Sequence, residues 1–178
     1  MNVLNETNVG SLSWVQPSAM HREFELHAGD NVLAKVRWED IWGAKVSAES
    51  AEGTYLFDHS GFLHPHVSVQ DTRTGAEVAL NECNWNDTDL LKFPDGRQYR
   101  TRRVNRFGWE VVDANGERIL YNELNYSMTK FNGHVEITEK GHALPASELS
   151  LIIMLAWYIA VYKGPQYYNS AYVPVIVH

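Results

Sequence analysis

Through most of the first 140 residues of this 178-residue chain, hydrophobic and polar positions alternate one by one. The stretch "FELHAGDNVLAKVRW" (24–38) sets Phe24 and Leu26 on one face and breaks at Gly29-Asp30. It resumes with Val32, Ala34, Val36 and Trp38. "GTYLFDHSG", "FLHPHVSVQD", "AEVALNECNW", "QYRTRRV", "GWEVVDANG", "ERILYNELNY" and "GHVEITEKG" read the same way, with Gly, Asp or Asn at the breaks. A period of two between turn residues predicts strands, here about ten to twelve, spaced as in a barrel or sandwich.

The alternation stops at "ELSLIIMLAWYIAVYKGP" (148–165). From Leu149 to Tyr162 only Ser150 interrupts the apolar run and no residue is charged. That run is 14 residues long, whereas a membrane-spanning helix needs about 20. Pro145 and Glu148 suit a helix start, Gly164 a position just past its end, and Pro165 forbids continuation. Ile152, Ile153, Met154, Leu155, Trp157, Ile159 and Val161 leave no polar face, so the helix must be surrounded. A membrane-associated helix and an oligomer interface are the other readings of such a segment. A closed sheet around the helix satisfies both halves of the pattern, removing exposed strand edges and exposed helix faces together.

The strands also repeat. "VQDTRTGAEVALNECNW" (69–85) aligns with "VVDANGERILYNELNY" (111–126): Asp71 with Asp113, Gly75 with Gly116, Asn81-Glu82 with Asn122-Glu123. Residues 24–38 form a weaker third copy. Each unit reads as a hairpin whose glycine supplies the left-handed residue of the turn.

Composition narrows the class. With 44% apolar and 21% charged residues the chain is ordinary globular material, and its length suggests one domain. A net charge of −7 argues against nucleic acid as a partner of the whole surface. The single cysteine, Cys83, excludes an internal disulfide and a Cys-based zinc site. The first residues hold no basic or apolar leader. The expected compartment is therefore the cytoplasm, where the sequons at Asn5, Asn86 and Asn125 carry no meaning.

Charge is unevenly placed. "KFPDGRQYRTRRVNR" (92–106) holds Lys92, Arg97, Arg100, Arg102, Arg103 and Arg106 against Asp95, a local +5 that leaves −12 for the rest. Clustered guanidiniums bind phosphate or carboxylate oxygens bidentately, so Arg97, Arg100, Arg102 and Arg103 are the candidate ligand-binding residues. On a strand Arg100 and Arg102 share a face and Arg103 points opposite. The competing reading pairs these arginines with nearby acids such as Glu110, Asp113 or Glu117.

Other chemistry is weakly signalled. His64 and His66 share a strand face. Leu63, Val67 and Val69 define the apolar face opposite, which turns the histidines to solvent and predicts no metal site. Cys83 has no basic neighbour, Glu82 and Glu123 could pair only if their repeats converge, and no nucleophile elbow or phosphate loop occurs. No catalytic residue and no cofactor are expected. The tail "YYNSAYVPVIVH" (167–178) is apolar enough to lie on the barrel or on a second copy, leaving monomer and homodimer both open.

The Asp-x-x-Gly hairpins, such as "WEVVDANGERILYNE", together with the terminal helix "ELSLIIMLAWYIAVY", resemble the tubby C-terminal-like superfamily over about residues 12–163. That superfamily joins tubby proteins, LURP-one-related proteins and phospholipid scramblases. The resemblance implies a twelve-stranded barrel around a C-terminal hydrophobic helix, and binding, including phosphoinositide binding, more than catalysis. Its calcium-dependent scramblase branch is not matched, because the EF-hand spacing fails at Gly116 and the cysteine-rich stretch is missing.

The expectation is thus a mainly β protein in one domain. It is a closed antiparallel barrel of about twelve strands (about 12–140) around a buried helix (about 146–163), followed by an apolar tail (166–178). Its role is that of a non-enzymatic binding or adaptor module, cytoplasmic or peripheral to a membrane and not transmembrane. Its partner is an anionic lipid headgroup, another polyanion or a protein, the last anchored by Trp14, Trp38, Trp42 and the aromatic tail. A lipocalin-like carrier or enzyme with an open barrel is the alternative.

Overall fold

Alternating strands joined by tight turns close into a ring in the computed structural model, which describes residues 11–40, 44–84, 86–126 and 130–164. Trp42 and the apolar tail, with the readings placed on them, lie outside these residues. The strands are β1 (Leu12–Val15), β2 (Glu23–Ala28), β3 (Asn31–Trp38), β4 (Lys45–Ser50), β5 (Thr54–Ser60) and β6 (His66–Asp71). They continue as β7 (Glu77–Glu82), β8 (Thr88–Lys92), β9 (Gln98–Arg103), β10 (Gly108–Asp113), β11 (Arg118–Tyr126) and β12 (Phe131–Ile137). A short helix α1 (Glu139–His142) and the long helix α2 (Ala146–Tyr162) follow. Each strand pairs antiparallel with the next, and β1 closes on β12 with Leu12 opposite Val135. Closure leaves no unpaired edge.

The topology sorts the loops. Those after odd-numbered strands lie at one end of the barrel and those after even-numbered strands at the other. Helix α2 enters at the even end and leaves at the odd end, here called the exit end.

Helix α2 fills the interior. None of residues 149–161 is more than 3% exposed. Its contacts run around the wall: Trp157 stacks on Trp14 of β1 at 5.2 Å and meets Phe24 of β2 edge-on. Tyr158 packs against Trp38 of β3 and Phe57 of β5. Ser150, the one polar residue in the run, places its Oγ 2.8 Å from Ser50 Oγ of β4, so its burial leaves no unmet hydroxyl. No helix among the described residues is long and apolar enough to cross a membrane.

The helix ends are built much as their residues suggest. Pro145 is the N-cap, and its carbonyl accepts from the Glu148 and Leu149 amides at 3.0 Å. Gly164 follows the C-cap Lys163, but its φ is not left-handed. It is glycine for space, since a Cβ there would lie 2.9 Å from the Ala160 carbonyl oxygen.

The repeats share a construction. Asp71 Oδ1 accepts from the amides of Arg73 and Thr74, and Asp113 Oδ1 from those of Asn115 and Glu117. Gly75 and Gly116 take φ of 70° and 82°. A register shift precedes the turn in both, at Val69/Gln70 and Val111/Val112, and again in the third copy at Leu26/His27. One expectation fails: Leu63 is 77% exposed rather than inward. Gly61 turns the chain at φ 87° and β6 begins only at His66, so Leu63 belongs to a turn and has no strand face.

At Gly133 of β12 the helix side chain Trp157 leaves no room for a side chain on the wall, since a Cβ would sit 2.3 Å from Trp157 Cζ3. Gly133→Ala is expected to cost about 1–3 kcal/mol through overpacking, read as a lower denaturation midpoint in urea.

Candidate functional site

The β8–β9 hairpin carries the arginine-rich segment, and its first task is to hold both ends of α2. At the even end Glu148 is buried in the first helical turn, where a carboxylate suits the helix dipole. It accepts from Tyr99 Oη at 2.6 Å and from the Arg97 guanidinium, which also meets Asp95 at 2.6 Å. At the exit end Asp89, fully buried on β8, accepts from Lys163 Nζ at 2.5 Å and from the Asn84 amide at 2.9 Å. Arg103 donates to the Lys163 carbonyl at 2.5 Å, lies over Trp109 and stands 3.2 Å from Asp87. A cation on the last carbonyls of a helix complements its dipole.

The four candidate arginines therefore do not converge. Arg97 and Arg103 sit at opposite ends of β9, roughly 20 Å apart at about 3.3 Å per residue, each turned to one end of the helix. Arg100 and Arg102 stand between them on the outer wall and are exposed, as the strand period requires.

The outer wall is where guanidiniums gather. Glu110 of β10 lies opposite Arg102 and, although on the outer face, its side chain is only 6% exposed. Arg102 Nε donates to one carboxylate oxygen and Arg118 Nε to the other, both at 2.6 Å. Burial opposes ionisation of Glu110, but the two arginine hydrogen bonds outweigh it and hold its carboxyl below the usual range. Arg118 also lies over the Tyr121 ring. Arg100 is opposite Val112, which is in turn opposite Arg118. Two guanidiniums thus hold one carboxylate across β9–β11, and exposed Arg100 stands opposite Val112, two residues along β10 from Glu110, in a frame fixed by the sheet register.

The acid-pairing alternative is realised at three of the four candidates: Arg97 pairs with Asp95 and Glu148, Arg102 with Glu110, and Arg103 with Asp87. Arg118 lies outside the 92–106 charge run and was not singled out by it. Its signal is hairpin spacing: Arg102 and Arg118 each stand eight residues from Glu110.

A cleft of about 580 Å³ opens at the exit end, among His59, Phe62, Leu63, Cys83, Arg103 and Tyr162. Burial pushes the Cys83 thiol up to about 11, so it stays protonated at neutral pH, and burial lowers His59. His66 donates from Nδ1 to the His64 carbonyl and accepts from Ser60 Oγ, both at 3.1 Å. Among the described residues no three His, Cys, Asp or Glu side chains are gathered as a metal ion would need. Glu82 pairs with Lys92 at 2.5 Å on β7, while Glu123 is on β11, four strands away, so the repeats do not bring these carboxylates together.

Two outcomes separate the structural arginines from the outward ones. Arg97→Met is expected to destabilise by about 1–3 kcal/mol by leaving buried Glu148 short of a partner. Arg97→Met/Glu148→Gln should regain most of that loss, and Arg100→Met should stay within about 0.5 kcal/mol of wild type in thermal or urea unfolding. The second outcome concerns pH. A carboxyl whose folded pKa is depressed contributes stability above its unfolded value, about 4.3 for Glu, and loses it as pH falls through the folded value. Stability should therefore decline below about pH 4–5, with a shallower acid limb in Glu110→Gln, read from urea midpoints across pH.

Compared with family models, with curated proteins and with solved structures, the chain finds no match in any of the three.

Proposed function

We propose that the protein is a non-enzymatic binding module that takes a polyanion on the outer wall of β9–β11. The observation that carries this reading is the pair Arg102 and Arg118 fixed by Glu110, with Arg100 on the same outward face of β9. Glu110 satisfies one Nε of each of two arginines and sets their planes, and Arg100 stands exposed beside them. Pre-set guanidinium forks suit the oxygens of phosphate or carboxylate groups. An anionic lipid headgroup and a soluble polyphosphate present the same chemistry. Arg97 and Arg103 support the site from the ends of the strand and do not touch its ligand.

The occupied barrel supports this reading over an open-barrel carrier, because α2 takes the space a central ligand would need. The proposal includes membership of the tubby C-terminal-like superfamily, whose architecture is a twelve-stranded barrel around a hydrophobic helix.

The test is cosedimentation with neutral and anionic vesicles across a salt series, with inositol hexakisphosphate as a soluble competitor. Salt-sensitive binding to anionic vesicles is expected, weakened about tenfold or more in Arg100→Glu/Arg118→Glu, with unchanged binding in Arg73→Glu, in the β6–β7 turn. Direct binding of inositol hexakisphosphate in calorimetry without vesicle binding would assign a soluble ligand. No binding of either at low salt would end the proposal.

A further inference from the structure

Among the described residues, the large hydrophobic side chains that are exposed are Met20, Phe62, Leu63 and Val104. All four sit in loops of the exit end, after β1, β5 and β9. Single exposed hydrophobics are ordinary. Their confinement to one end is not, and neither is the adjacent pair Phe62-Leu63 at 94% and 77% exposure.

The β5–β6 loop is built to present that pair. Gly61 holds φ 87°, and a Cβ there would strike the His64 carbonyl oxygen at 2.3 Å. The His66 ring ties the same carbonyl to Ser60 across the turn. Phe62 and Leu63 are thus held at the tip of a braced turn, outside the core.

Charge follows the same three loops. Residues 16–22, 61–65 and 104–107 contain no Asp or Glu, although the chain carries −7. They hold His21 and Arg22, His64, and Arg106 beside the apolar residues. The acids of the intervening exit-end loops are engaged: Glu39 pairs with Arg37 and accepts from Ser47 Oγ, Asp40 accepts from the Ala44 and Lys45 amides, and Asp87 stands beside Arg103. In a ring of twelve strands, the loops after β1, β5 and β9 divide the rim into thirds. Three separated tips meet a flat surface together, whereas a groove on a protein partner would reach one.

We infer that the exit end docks on an anionic lipid bilayer, with Phe62 and Leu63 entering the interfacial region and the basic residues beside the tips meeting headgroups. Apolar insertion and attraction to anionic lipid add in such binding. The inference uses residues other than the β9–β11 wall and stands whether that wall takes a lipid headgroup or a soluble polyanion.

The test places an environment-sensitive fluorophore at Leu63→Cys, and separately at Ala114→Cys in the opposite end, each with Cys83→Ser. The probe is phosphatidylcholine vesicles with and without phosphatidylserine. A blue shift with phosphatidylserine at position 63 and none at 114 is expected. Phe62→Ser/Leu63→Ser should weaken vesicle binding about tenfold or more with unchanged melting temperature, while Arg100→Glu keeps the shift at 63. No shift at 63, or equal shifts at both positions, would overturn the inference. So would full vesicle binding by Phe62→Ser/Leu63→Ser. If that variant instead converts a wild-type dimer to monomer, the rim joins two copies and the bilayer reading fails.

Discussion

Enclosure of a helix with no polar face is the constraint from which the rest of this structure follows. Burying a Leu, Ile or Met side chain contributes about 1.5–3 kcal/mol, and α2 buries seven of them between Leu149 and Ile159. No single sheet face or partner helix could collect that contribution, because it would leave the other faces in water. Twelve antiparallel strands wrapped into a ring do collect it, and the same closure removes the sheet edges. Apolar burial sets how strongly the helix is held, but it is non-directional and does not set how far the helix slides along the barrel axis. The latches at Glu148 and Lys163, which involve directed hydrogen bonds, supply that register.

This division explains what became of the arginines. A segment with a local charge of +5 reads as a ligand site when considered alone. In the barrel it is a hairpin running alongside the helix, and its two ends meet the helix termini, where a helix needs charged partners. Arg97 and Arg103 are used there. What remains for an external ligand is the outward middle of β9, joined by Arg118 from β11 and organised by Glu110. The interior offers a ligand little, so binding chemistry falls to the outer wall and the rims.

Much of the fold was legible because its rules are local. Alternation gave the strands, Asp and Gly gave the turns of the repeats, and the loss of any polar face over 149–162 gave both the helix and the need for a ring. The helix, expected over about 146–163, spans Ala146–Tyr162. The candidate site was legible only in part, because it depends on which strands become neighbours. The strand period put Arg100 and Arg102 outward, but nothing within the 92–106 charge run reveals that Arg118 reaches Glu110 across β10–β11. Leu63 was misplaced because Gly61 and Pro65 interrupt a pattern that otherwise reads as strand. Gly164 was placed correctly for a different physical reason, since the site demands absence of a side chain rather than a left-handed φ.

Native-state hydrogen exchange of the α2 amides tests enclosure most directly. A helix surrounded by a closed wall can open only when the barrel does. The amides of Leu151 to Val161 should then exchange through global unfolding, with the same denaturant dependence as the central residues of β3 and β11. Exchange of those helix amides at a lower free energy than the strands, through local opening with little denaturant dependence, would mean that the helix leaves the barrel intact behind it, and would contradict the account.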